Sequence, residues 1–236
     1  MKITKLLILI LCVISSVAFS KETSDETLYL DKTVFNLQST LPPPFATDSF
    51  ESKIELEIIK NISPQLTSFQ KDLATKDALN QNVDFFSDVI SDFDINKLPK
   101  TKTLFDKVKY NAGYQSNIFK NYFMKKRPYQ EDNSIQVCVP PQPSSLNRSY
   151  PSGHTTMGFA MAVILANLIP EKSNEIMARA KLYGANRVYC GAHFPSDVSA
   201  GEVLGTLVGI ELLKNSEFSS LLKLSKDELI IHHLTK

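Results

Sequence analysis

The chain has 236 residues, with 26 lysines and arginines against 25 acids and a formal net charge of +1. A balance so close to neutral offers no electrostatic footprint for nucleic acid or for an anionic membrane surface, and neither is expected as a partner. The length is that of one domain, enough to bury a proper core.

Residues 1–20 read as a cleaved signal peptide, and residues 21–236 as one domain with a polar N-terminal segment over 21–40. Lys2 and Lys5 form a charged start, Leu6 to Val17 a short apolar run, and Ala18-Phe19-Ser20 a small-x-small cleavage site. The run is shorter than the ~20 residues a spanning helix needs. The mature chain is therefore expected outside the membrane, periplasmic or secreted, with a net charge near −1 once Lys2 and Lys5 are lost. Cys12 would leave with the leader. Cys138 and Cys190 would remain in an oxidising compartment, either as a bridge or as two buried thiols.

Along the mature chain, Pro42-Pro43-Pro44 fixes an extended entry and precludes helix. Asp48 or Ser49 suits the cap of a helix running through Ile59. Leu66, Phe69 and Leu73 are spaced for one short amphipathic helix, and Phe85, Phe86, Val89 and Ile90 for another, all expected to face the core. From Thr103 to Phe123 the apolar positions Phe105, Val108, Ala112 and Phe119 recur at helical intervals, with Lys120 in the last turn. Asp132 to Asn147, with Pro140, Pro141 and Pro143, reads as a surface loop.

Met157 to Ile169 is apolar almost all round and stops at Pro170, which describes a buried helix of about three turns. Glu171 to Arg187 is amphipathic, and Pro195 restarts a helix through Leu213, followed by a polar tail holding His232 and His233. Gly201, Gly205 and Gly209 lie four apart on one face of that helix. Each costs ~1 kcal/mol relative to Ala, so three in register imply a second helix packed closely there. The Met157–Ile169 helix is the expected partner, which would put His154 and His193 at one end of a helix pair. No strand alternation of any length occurs, and the fold class is all-α, a single domain.

Three clusters carry chemistry. Ser152-Gly153-His154 precedes the buried helix, where unpaired N–H groups and the positive dipole end favour an anion, and Gly153 lets an oxyanion approach the backbone. By itself this is also a proline turn with a serine cap. His193 lies just before the helix that Pro195 opens, with Asp197 in its first turn. A carboxylate one turn along can take the Nδ1 proton and leave Nε2 free as a nucleophile. His193 is assigned that role and His154 the general acid, which predicts a bell-shaped pH profile with an optimum below neutrality. Lys120, Arg127 and Arg187 would neutralise the charge on a transferring phosphoryl group. Lys125 and Lys126 read as a solvated helix end.

Taken in order, Lys120, six residues, Arg127-Pro128; Pro151-Ser152-Gly153-His154; then Arg187, five residues, His193, three residues, Asp197 resemble the type 2 phosphatidic acid phosphatase superfamily. Within it the chain is similar to the class A bacterial non-specific acid phosphatases, whose N-terminal proline run Leu41-Pro42-Pro43-Pro44 also resembles. The resemblance implies a helical bundle of the acid phosphatase/vanadium haloperoxidase type. It also implies a phosphohistidine on His193, a leaving group protonated by His154 and His193 oriented by Asp197. Phosphate contacts would come from Lys120, Arg127, Ser152, Gly153 and Arg187. No metal or other cofactor is implied; small-molecule phosphomonoesters are the implied substrates, and members of the family are often homo-oligomers. Runner-up readings on the same site are a vanadium-dependent haloperoxidase and a lipid phosphate phosphatase. Asn186 stands where the pattern has Ser, and its amide is expected to keep one phosphate contact with altered geometry.

Overall fold

A helix without a polar face has to be surrounded. In the computed structural model, which describes residues 27–236, the all-apolar stretch lies in helix α5 (Gly153–Leu168), where Ala160, Ile164 and Leu165 have no exposure at all. Ser152 caps its start by accepting Thr155 N–H, and Pro170 forces Ile169 out of helical geometry at its end. The leader expected over residues 1–20 lies outside the described residues.

Around α5 stand α3 (Pro99–Phe123), α6 (Ser173–Tyr189) and α7 (Pro195–Lys214), with α8 (Ser216–Ile231) on α3, and α1 (Phe50–Ile62) and α2 (Ser68–Leu79) against α6. A single turn, α4 (Pro128–Glu131), follows α3, and among the described residues there is no strand. The protein is an all-α bundle, as the missing strand alternation required.

The glycine stripe meets the helix expected of it. A Cβ at position 201 would stand 2.8 Å from Ser152 O and Thr155 Cβ, one at 205 would run into Thr156 O, and one at 209 would lie 2.7 Å from Val163 Cβ. Close approach along this seam brings the N-termini of α5 and α7 together, and Ser152 N–H donates to Asp197 O across it, 2.9 Å.

Three expectations fail for identifiable reasons. Phe69 is 75% exposed, because α2 turns Ala74, Asp77 and Ala78 inward instead. Asp77 is what reverses the face: buried Arg179 of α6 binds it through two nitrogens at 2.6 and 3.0 Å. Phe85 and Phe86 are buried, but on a 3₁₀ turn, Val83–Asp88, rather than an α-helix. The supposed polar tail is α8, capped by Asn215 and anchored by fully buried Phe218 and Leu229. Its Glu228 accepts from Lys100 N–H and Thr101 N–H at 3.0 and 2.8 Å, supplying the cap that Leu98 cannot give α3. His232 and His233 are exposed just past its end. Before α1, Asn111 and Gln115 of α3 pin the irregular segment by bonds to the backbone of Tyr29, Leu30 and Asp31.

Candidate active site

Five elements end at one cavity of about 900 Å³. Lys120 comes from the last turn of α3, Arg127 from the residue before α4, Gly153 and His154 from the first turn of α5, Arg187 from the last turn of α6, and His193 from the loop before α7. All six line the cavity. Tyr150-Pro151, joined by a cis peptide bond, leads into α5.

His193 is 1% exposed, and its Nε2 lies 2.9 Å from Arg127 Nη1. A guanidinium has no acceptor, so Nε2 presents its lone pair and the ring proton sits on Nδ1. Nδ1 has Asp197 Oδ2 at 3.4 Å and no closer partner. Burial, with Arg127 beside it, pushes the His193 pKa well below its ordinary value. The imidazole is neutral, with its Nε2 lone pair on Arg127, which lines the cavity with it, and a neutral ring is the state a nucleophile needs. Burial would raise the Asp197 pKa, but His193, Lys125 and Ser149 outweigh it and hold the carboxyl below the usual range.

Arg127 is fixed by backbone oxygens: Nε donates to Ser145 O at 3.0 Å, Nη1 to Ala192 O at 2.8 Å and Nη2 to Arg148 O at 3.3 Å. Lys120 directs its ammonium at three carbonyls, Arg148 O at 2.7 Å, Ser149 O at 3.4 Å and Pro151 O. Its three protons are thus spent on the turn that leads to His154, and its contribution to the cavity is charge. Burial, then Arg127, pushes its pKa well down.

Arg187 differs from both. It is buried, yet Nε and Nη1 have no hydrogen-bond partner. Burial depresses its pKa from the ordinary guanidinium value to about 10. An unpaired buried guanidinium costs several kcal/mol unless something anionic meets it. Asp106, which also lines the cavity, is paired with Lys102 at 2.6 Å.

His154 is half-buried, with Nε2 at 3.2 Å from Ala78 O and its ring 6.0 Å from that of Tyr183. A carbonyl can only accept, so Nε2 carries the proton and Nδ1 is the nitrogen left for a substrate. Burial, then the Arg187 charge, pushes its pKa well below the ordinary value.

Other expectations change. Ser152 is fully buried, does not line the cavity, and accepts from Thr155 N–H and Oγ1 at 3.4 and 2.9 Å, so it serves as a cap. Asn186 faces away from the cavity and donates its amide to Asp77 Oδ2 at 2.7 Å. Lys126 is exposed as expected, but Lys125 is buried, pairs with Asp197 Oδ1 at 2.9 Å and stands 4.2 Å from the centre of the Phe194 ring. No spacing rule marks it, since it becomes buried only when the first turn of α7 closes over it. Cys138 and Cys190 form a disulfide, which ties the 132–147 loop, one wall of the cavity, to the segment carrying His193.

A sequence model of the PAP2 superfamily matches residues 109–219, a span that begins within α3 and ends within α8. The non-specific acid phosphatase of Salmonella typhimurium is 31% identical over 224 residues, covering 89% of this chain and 88% of that one. The chain belongs to the PAP2 superfamily. The acid phosphatase of Zymomonas mobilis is 34% identical over 138 residues, 58% of this chain and about half of that protein's own length, 52%. Among solved structures, LpxE of Aquifex aeolicus superposes with a TM-score of 0.53 at 24% identity, over 74% of this chain and 99% of that one, a likeness of fold.

Proposed function

We propose that the protein is a periplasmic or secreted acid phosphatase that hydrolyses phosphate monoesters through a phosphohistidine on His193, without a metal ion. The acid phosphatase relatives support phosphatase chemistry of the PAP2 type. The observation that carries the reading further is the pair of unpartnered Arg187 nitrogens in the same cavity as a His193 whose Nε2 lone pair meets Arg127.

A phosphate dianion entering the cavity draws Arg187 and Arg127 onto its oxygens, which frees Nε2 from Arg127 and leaves it facing phosphorus. The Nε2–P bond forms as the ester P–O bond breaks, and positive charge on His193 is balanced by Asp197. His154 Nδ1 faces the leaving oxygen. Two added negative charges oppose the burial and the Arg187 charge that hold the His154 pKa down, so it takes a proton when the ester is bound and passes it to the alkoxide. In the second half, water attacks phosphorus with His154 as base, His193 leaves, and phosphate is released.

The test is turnover of p-nitrophenyl phosphate from about pH 4 to about pH 9 with EDTA present, beside His193→Ala. Activity that survives EDTA and is lost in the variant is expected. Loss on chelation, or retention by the variant, overturns the reading.

A further inference from the structure

Lys125 is one of the six unspecified residues between Lys120 and Arg127, yet its ammonium is the counter-ion of the carboxylate behind the nucleophile. Asp197 Oδ1 receives Lys125 at 2.9 Å, while Oδ2 receives Ser149 Oγ at 2.5 Å and Phe194 N–H at 2.9 Å as well as facing His193 Nδ1 at 3.4 Å. On the far side, Lys125 has Glu55 Oε2 of α1 at 4.0 Å and Ser196 Oγ at 3.4 Å. Glu55 is itself fixed by Ser196 N–H and Oγ at 2.5 and 2.8 Å. The side chains of Lys125, Glu55 and Asp197 are 6%, 8% and 0% exposed, so water does not screen the row.

We propose that Lys125 is a positioning residue: shared between Glu55 and Asp197, it holds the Asp197 carboxylate in place and sets how readily His193 takes a proton. The idea rests on His193 as nucleophile. Charge alternates along the row, Glu55 negative, Lys125 positive, Asp197 negative, His193 neutral. An ammonium behind the aspartate removes part of the field that would protonate the imidazole, and Glu55 removes part of the ammonium's effect. Each member therefore acts on His193 with a sign fixed by its place in the row. The other groups facing His193 are Arg127, Lys120 and, across the cavity, Arg187 and His154. Those facing Lys125 besides Glu55 and Asp197 are Tyr150, 5.9 Å from ring centre to ammonium, and Glu131 of α4. Burial raises the Glu55 pKa, so its influence fades as pH falls through the carboxylate range.

The experiment measures kcat/KM for p-nitrophenyl phosphate against pH for the wild type, Lys125→Arg, Lys125→Met and Glu55→Gln. Ratios to the wild type cancel ionisation of the ester. The His193 Cε1–H signal, assigned against His193→Asn, is titrated by NMR as a readout independent of turnover. Lys125→Met is expected to raise the acid limb and the His193 midpoint by about one pH unit. Lys125→Arg should return both to near the wild type, and Glu55→Gln should move both the other way by less. Lys125→Met leaves two buried carboxylates without a cation; should it fail to fold, the downward shift in Glu55→Gln carries the test. Equal loss at every pH in the two charge-removing variants, with the His193 midpoint unmoved, would overturn the proposal. An inactive wild type, or an active His193→Ala, would instead remove the nucleophile assignment on which it rests.

Discussion

Arg187→Met should make the empty protein more stable and the working protein useless. Methionine keeps the apolar stem but removes a buried guanidinium of which two nitrogens have no partner. Depression of the Arg187 pKa to about 10 corresponds to about 3 kcal/mol against the folded state at neutral pH. The sign follows from a cation whose folded pKa lies below its unfolded value: the cost is fully present below about 10 and fades as pH rises from there toward the unfolded value. Some packing is lost with the guanidinium, so a net gain of about 1–3 kcal/mol is expected, or roughly 3–10 °C in Tm for a domain of this size. With phosphate at about 100 times its Kd, the wild type should gain about 2.7 kcal/mol and the variant far less. Loss of two charge-assisted hydrogen bonds should lower kcat/KM by about 10²–10⁴. Differential scanning calorimetry in phosphate-free and phosphate-containing buffer, beside steady-state kinetics, checks both halves. Equal destabilisation in both buffers would show that Arg187 serves the fold, and would refute the reasoning.

Gly205→Ala puts a methyl group against Thr156 O and Phe159 Cβ and should cost at least 2 kcal/mol in denaturant unfolding, whereas Gly113→Ala, with nothing within 4 Å, should be neutral or stabilising. Reduction of Cys138–Cys190, or Cys138→Ser with Cys190→Ser, releases a loop whose ends are 52 residues apart and should lower stability by about 4 kcal/mol. Asn186→Ser should leave phosphate affinity unchanged within twofold, since the amide bonds Asp77, while lowering Tm by a few degrees. Acidification below about pH 6.5 should destabilise the phosphate-free protein by up to about 2.7 kcal/mol per pH unit, because the unfolded chain protonates His154 and His193 where the folded chain does not. His193→Asn should halve that slope in thermal melts.

Much of this was legible in residue spacing, and the failures have a common cause. Apolar runs and glycine register are properties of one element, so α5, α7 and their seam could be read directly. Motif order placed His154, Arg187 and His193 around one cavity because each sits at a helix end, and helix ends are marked by proline and caps. Side chains whose surroundings are made by other elements could not be read. Lys125 looks like a solvated lysine until α7 covers it, Asn186 like a phosphate ligand until Asp77 of α2 claims it. Phe69 looked buried because nothing in its own helix reveals that Asp77 faces Arg179. The helix α8 went unseen because charges interrupt its apolar face, and its Glu228 matters only to the start of α3.

The cross-link between the 132–147 loop and the segment before α7 divides the tasks of recognition and reaction. Gly191, at φ +61°, lies against the carbonyl of Gln136 close to it, and Ile135 packs on the cluster that holds Val188 and Phe194, so the two segments stay in contact on the near side of the bridge. On the proposed function, residues 139–141 can therefore change in character, and with them the part of a substrate beyond its phosphorus, while Ser145 O keeps hold of Arg127 and the imidazole stays where the anchored stem holds it. A protein built this way can acquire new substrates by editing a tethered loop without disturbing the reacting atoms.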